Sequence, residues 1–266
     1  MSRMVRIAVL GLGAAGRVYA EDLARVAAVV GHDPFLSQES GAFAVAESAA
    51  DAVKDAEIIL AMTPSTAARA ALDSVLGHAA RGAVYADLSS SGPADKAASA
   101  AAAEKGGLLF ADAVLMAPVA HKRIATPVVA SGPGAARMDE LLTPLGMPVE
   151  VLDGPAGEAA ARKLLRSIVV KGITGLMIES LRAAEQQGLL EWFGDHVTET
   201  LTHLTPDFLR GLLEGTMQHS ARRVHEMEAA AEMIEQGGDA AAMARATMAV
   251  LESIGERGIP RGGALR

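Results

Sequence analysis

The residues with the clearest chemical meaning are Gly11-Leu12-Gly13-Ala14-Ala15-Gly16, which follow an apolar run from Val5 to Leu10 and open a stretch that reads as helix. Gly11 permits a tight turn after the strand, Gly13 lets the backbone approach a pyrophosphate, and Gly16 lets the next helix pack closely on the sheet. Free N–H groups at the start of that helix then face the phosphates. Asp33 closes a second short apolar run, Ala27–His32, at about the separation expected for an acid that accepts hydrogen bonds from the ribose hydroxyls. Its charge repels a 2′-phosphate, so the reading is NAD in preference to NADP, a preference that His32 or a remote arginine would soften. Asp33-Pro34 also reads as an ordinary turn.

Further along, Lys163, Ser167 and Lys171 are spaced four apart and share one face of a helix, drifting by only about 80°. A lysine on such a face is a candidate proton carrier, and a solvated stripe is the plain alternative. Arg162 and Arg166 flank it. The seven histidines have no metal-ligand spacing and there is no cysteine, so no metal is expected.

These groups need elements to hold them. Apolar runs at Glu57–Met62, Ala83–Asp87, Leu108–Asp112, Pro127–Ser131 and Val149–Leu152 alternate with alanine-rich, helix-compatible stretches, the pattern of an α/β, Rossmann-type doubly wound sheet. Such sheets bind ligands at the carboxyl ends of their strands. Met62-Thr63-Pro64 and Ser89 fall at such ends and join Gly11, Leu12, Gly13, Ala14, Ala15, Gly16 and Asp33 as cofactor-binding candidates. The hydroxyls there also read as caps of the following helices. After Gly154 the strand signal stops: a helical pattern runs from Glu158 to about Gln187, and further helices lie between turn signals at Gly188, Gly194, Pro206 and Gly237-Gly238. The expected organisation is a dinucleotide-binding domain over 1–153 and an all-α C-terminal domain over 154–266, to which the family resemblance described below gives substrate and dimerisation.

Composition narrows the classes. With 266 residues, half of them apolar, the chain can build substantial cores. A net charge of −8, dispersed basic residues and few aromatics argue against nucleic acid as partner. No signal segment and no apolar stretch of membrane-spanning length is evident, so the expectation is a cytoplasmic protein without a membrane partner.

The combination resembles the β-hydroxyacid dehydrogenase family, which includes 3-hydroxyisobutyrate dehydrogenase and 6-phosphogluconate dehydrogenase. The likeness rests on the fingerprint, on Asp87-Leu88-Ser89-Ser90-Ser91-Gly92-Pro93, and on Gly154 to Lys163, with Ser167 where the family has asparagine. The resemblance implies a small-molecule substrate, a homodimer packed through long helices, and Lys163 as general acid/base, with Ser167 orienting and Lys171 lowering the pKa of the first lysine. It assigns Ser91 and the loop Met116-Ala117-Pro118 to substrate. That loop departs from the family pattern: Asp112-Ala113-Val114-Leu115-Met116-Ala117-Pro118 lacks the serine and glycines that grip a carboxylate, and the helix from Lys163 resembles a bacterial subgroup with a 6-phosphogluconate-dehydrogenase-like C-terminal domain.

The function implied is NAD(P)-dependent hydride transfer to or from a small hydroxy acid or its carbonyl counterpart. The alternatives are an imine reductase and a noncatalytic dinucleotide-sensing dimer. His121-Lys122-Arg123 reads as a solvated turn or an anion contact, and His219, Arg222, Arg223 and Glu226 as intrahelical ion pairs.

Overall fold

A computed structural model describes residues 4–36 and 41–258. Its strands are β1 (Arg6–Leu10), β2 (Ala28–His32), β3 (Ala44–Val45), β4 (Ile58–Ala61), β5 (Val84–Asp87), β6 (Leu109–Leu115), β7 (Val128–Ser131) and β8 (Val149–Val151). Helices α1 (Ala14–Leu23), α2 (Ala49–Val53), α3 (Ala68–Asp73), α4 (Pro93–Lys105), α5 (Val119–Lys122) and α6 (Ala135–Leu142) lie between them. Then follow α7 (Glu158–Gln186), α8 (Leu190–Thr202), α9 (Pro206–Gln236) and α10 (Ala242–Arg257).

The strands form one eight-stranded sheet in the order β3-β2-β1-β4-β5-β6-β7-β8, parallel throughout except where β7 runs against β6. From β1 the chain winds first to one side through β2 and β3, then to the other from β4 onward. That reversal puts the switch point between β1 and β4, whose following connections lead to opposite sides of the sheet order. Alternation along the strands fills both faces. Ile7, Val9, Ile58 and Leu60 join one buried cluster, while Ala8, Leu10, Ile59 and Ala61 join the other. A strand buried on both sides reads as an unbroken apolar run, which is why the pattern was legible.

Three local features differ from the sequence expectations. The two-residue β3 is too short to carry a period, and the apolar strand at Leu108–Asp112 continues to Leu115 because Asp112 through Leu115 pair with Ser131 through Val128. Gly194 lies inside α8 instead of marking a turn. There the helix tolerates it at a propensity cost of about 1 kcal/mol.

The described chain divides into two compact units, Met1–Arg166 and Ser167–Arg266. In the second, α9 begins at a Thr205 cap and Pro206 and is interrupted at His219, whose backbone leaves helical geometry. Glu179 caps α10 by accepting hydrogen bonds from the N–H groups of Met243 and Ala244, each 2.8 Å. This unit has a small core of Ala183, Ala231, Ile234, Ala241 and Ala244.

Candidate functional site

The turn between β1 and α1 divides its glycines by task. Gly11 has φ +87°, and a Cβ there would lie 2.8 Å from the Met62 carbonyl oxygen. A Cβ on Gly16 would sit 1.9 Å from the Gly11 carbonyl oxygen, so the helix can approach the turn only without one. Around Gly13 nothing lies within 4 Å of that position, leaving open space where a ligand would approach. Gly13 is also the N-cap of α1, offers no capping side chain, and is followed by no acidic residue in the first turn. The N–H groups at that end therefore suit an anion.

Asp33 is held by the loop it serves. Its Oδ2 accepts from the Leu12 N–H at 2.8 Å and its Oδ1 from the Phe35 N–H at 2.9 Å. Each carboxylate oxygen has further acceptor capacity, so ribose hydroxyls can still bind. Leu12 buries its side chain and commits its N–H to Asp33, so it steadies the loop. The acid and the turn coincide, because the Leu36 N–H also returns to the Asp33 carbonyl.

A groove of about 1160 Å³ runs over these residues, and Gly11, Gly13, Ala14, Ala15, Asp33, Met62, Thr63 and Pro64 all line it. At its wall, Thr63 Oγ1 is buried and has no hydrogen-bond partner among the described residues. An orphaned hydroxyl, an uncapped helix end and open space at Gly13 fit a dinucleotide. Ser89 is placed differently. It is 2% exposed, its N–H donates to Asp87 Oδ1, and its hydroxyl donates to Ser91 Oγ at 2.9 Å. Neither serine caps α4, whose N-cap is Gly92.

Beneath that serine pair lies a cluster that sequence reasoning missed. Lys96 on α4 is fully buried, donates to the Asp87 carbonyl, and sits 3.2 Å from Asp87 Oδ1. Asp112 Oδ1, which has no hydrogen-bond partner among the described residues, lies 3.5 Å from the same ammonium, an ion pair only. The other oxygen of Asp112 accepts from the N–H groups of Gly157 at 2.9 Å and Ala160 at 3.0 Å, and Ser131 Oγ accepts from that of Ala159 at 3.1 Å. Two buried side chains thus satisfy the first turn of α7, the helix that carries Lys163. The signal was an acid inside the apolar run Leu108–Leu115, since an unpaired carboxylate is almost never fully buried.

On α7 Lys163 and Ser167 are half-buried and Lys171 is exposed. Lys163 belongs to the first compact unit, Ser167 and Lys171 to the second. Arg162 pairs with Glu158 at 2.9 Å. Met116 and Ala117 are half-buried at the end of β6, and Pro118 is exposed as the N-cap of α5.

Past α5, Arg123 adopts φ +51°, the only positive value for a non-glycine among the described residues. Its guanidinium chelates Asp22 on α1 through contacts of 2.8 to 3.1 Å. That hydrogen-bonded guanidinium holds the Asp22 carboxyl below its ordinary value against the opposing effect of burial. Arg123 is therefore a tether between this loop and α1, unlike the solvated turn expected from sequence. Burial pushes the nearby Tyr19 phenol up to about 12, so it stays protonated at neutral pH. On α9, Arg222 and Glu226 do pair at 2.9 Å, while Arg223 turns to Thr216 Oγ1 at 2.6 Å.

The fold and fingerprint define a nucleotide-binding α/β protein, and comparison with known proteins gives its family. Residues 6–144 match the NAD binding domain of 6-phosphogluconate dehydrogenase, and the chain belongs to that family; residues 184–254 match a domain of unknown function, DUF1932. A conserved hypothetical protein from Sinorhizobium meliloti is 30% identical, with a TM-score of 0.62 over 97% of this chain and 92% of that one. The 3-hydroxyisobutyrate dehydrogenase of Mycobacterium tuberculosis, solved with L-serine, is 28% identical, with a TM-score of 0.61 over 70% of this chain and 67% of that one.

An imine reductase variant from Myxococcus stipitatus, solved with NAD+, shares the fold with a TM-score of 0.79 at 17% identity over 97% of this chain and 95% of that one. An uncharacterised 28.5 kDa protein of Methanothermus fervidus is 27% identical over 118 residues, so the chain spans 45% of that curated relative's length. The cofactor of this family is a nicotinamide dinucleotide. Among the described residues, no helix is long and apolar enough to cross a membrane.

Proposed function

We propose that the chain is an NAD-dependent oxidoreductase that moves a hydride between the nicotinamide and a small hydroxy acid or its carbonyl counterpart. The observation that carries this reading is the groove at the switch point, where the glycines, Asp33 and the orphaned Thr63 hydroxyl converge. Residues 1–153 hold the dinucleotide, and 154–266 serve substrate and dimerisation. NAD is favoured over NADP because Asp33 and Glu47 line the groove while no lysine or arginine does among the described residues.

When bound, the nicotinamide supplies or takes the hydride, and the substrate oxygen must then gain or lose a proton. Lys163 carries that proton at Nζ, Ser167 orients the lysine or the substrate oxygen, and Lys171 adds a second positive charge that favours the neutral amine. Ser89 and Ser91 stiffen the segment after β5, and Ser91 with Met116, Ala117 and Pro118 receives the substrate. The test is turnover with a panel of hydroxy acids, carbonyls and imines after comparing NADH with NADPH affinity. Lys163→Ala is expected to bind NADH normally and to lose about 10²-fold or more in turnover. Normal turnover removes the lysine from the mechanism.

A second reading, reduction of an imine, is favoured by Met116-Ala117-Pro118, which offers no hydroxyl or glycine amide for a carboxylate. Turnover of cyclic imines alone selects it, and tight NADH binding without any turnover selects a dinucleotide sensor.

The second copy is supported by α7. Ile168, Val169, Val170, Ile173, Leu176 and Ile178 are each 44% exposed or more and point around most of the helix circumference. Aliphatic side chains exposed on this scale call for a covering surface, and a symmetric homodimer is the commonest way to supply one.

A further inference from the structure

After β8 the chain starts α7, a helix of 29 residues. The residues just before it, Pro155-Ala156-Gly157, have no side chain able to cap it. Its first N–H groups go instead to residues distant in sequence: Gly157 and Ala160 donate to Asp112 Oδ2, and Ala159 donates to Ser131 Oγ. A local cap would steady the helix wherever it lay. Caps drawn from β6 and β7 tie it to one place on the sheet. Close approaches do the same. A Cβ on Gly157, at φ +107°, would lie 2.8 Å from the Pro93 carbonyl oxygen, and one on Gly132 would lie 3.1 Å from the Ala156 Cβ.

A buried charge holds these acceptors in turn. Asp112 and Ser131 are as fully buried as their neighbours Ala111, Ala113 and Ala130, and Lys96 faces Asp112 Oδ1 at 3.5 Å while donating to the Asp87 carbonyl at 2.6 Å. Buried ions add little stability over well-packed apolar residues of similar volume, so the gain from this set is a unique arrangement. Three segments lead away from it. Ser89 and Ser91 follow Asp87 by two and four residues, Met116 follows Asp112 by four, and Lys163 follows Ala160 by three, about one turn further along the helix. They carry the proposed substrate contacts and the proposed proton carrier.

We infer that Asp112 and Ser131, held by Lys96, are positioning residues that set where the Lys163 amine stands over the strand ends, and with it the rate of proton transfer. This rests on the proposed role of Lys163, which lies in the same compact unit as the cluster. Misplacement by about 1 Å costs about 10²-fold in rate.

The test compares full-chain Asp112→Ala, Asp112→Asn and Ser131→Ala with the unmutated protein. Four measurements are made: NADH calorimetry, amide hydrogen exchange, turnover of the best compound in the hydroxy-acid, carbonyl and imine panel, and acetic anhydride labelling of Lys163 against the exposed Lys54 and Lys122. Asp112→Ala is expected to keep NADH affinity, to lower kcat by about 10²-fold, and to speed exchange at Gly157 and Ala160 and labelling of Lys163 alone. Asp112→Asn keeps an acceptor for both N–H groups and should return most of the kcat. Ser131→Ala, mild enough to fold if Asp112→Ala does not, should free the Ala159 amide and lower kcat by about 3- to 10-fold. Faster exchange with unchanged kcat and unchanged Lys163 labelling overturns the inference and leaves the Lys163 mechanism standing. An equal loss of NADH affinity also overturns it, since the cluster would then support the whole unit. Absence of turnover by the unmutated chain, or normal turnover by Lys163→Ala, overturns the proposed mechanism and the inference together.

Discussion

The two compact units differ in what they do with apolar side chains. In the first, the strands bury both faces and even its charged residues Lys96, Asp87 and Asp112 are taken inside as a matched set. In the second, the core is four alanines and one isoleucine, while Ile168 and Val169 stand 69% and 61% exposed. The first unit is a finished core. The second leaves much of its apolar surface in solvent, and the proposed pairing with a second copy rests on that surface.

The strongest way to break the contrast is to unmatch the buried charges. Lys96→Met leaves Asp87 and Asp112 buried without their cation, and chemical unfolding should show a loss of about 3–5 kcal/mol. A smaller loss would mean that the cluster is wetter than its burial implies.

Next in size is Gly16→Ala, which drives a Cβ into the Gly11 carbonyl and should cost about 3 kcal/mol, at the upper end for overpacking. Gly13→Ala meets nothing, so its unfolding midpoint should stay put while NADH affinity falls about tenfold or more. If both variants behaved alike, the division of labour between the glycines would be wrong.

In the second unit, Ile168→Glu combined with Val169→Glu should weaken self-association by about 30-fold or more in sedimentation, as expected when anchoring residues are lost. The first unit's unfolding should be unaffected. A chain that is monomeric at micromolar concentration before mutation would remove the contrast altogether.

The mildest effect concerns Asp22 and Arg123. Because the folded carboxyl lies below its ordinary value of 3.8, the pair stabilises the fold above that pH and loses its contribution as pH falls through the folded value. Arg123→Ala should lower the neutral plateau slightly and flatten the acid limb of the stability curve below pH 4, with no change below the folded value, where the pair already contributes nothing. An unaltered acid limb would show that the tether contributes nothing measurable.

Much of this was legible in the residues. The glycine turn, Asp33 and the apolar strands are local signals, set by backbone sterics and by burial on both sheet faces, and the turn and the strands formed where the residues called for them. The long α7 was legible because nothing from Glu158 to Gln186 breaks a helix. The pairing of Ser89 with Ser91 was not legible, because a hydroxyl's partner is not encoded in its neighbours. Lys96 was not legible either, because its alanine neighbours carry no sign of the two carboxylates that reach it across the fold.

The sequence by itself determined the class of fold, the dinucleotide turn and the helical second half, since these follow from periodicity and from where only glycine fits. Only the tertiary structure decided that Asp112, Ser131 and Lys96 anchor the start of α7 and that Arg123 ties its loop to Asp22. Those pairings join residues up to 101 positions apart, and side chains so distant find each other only after the strands between them have taken their places in the sheet.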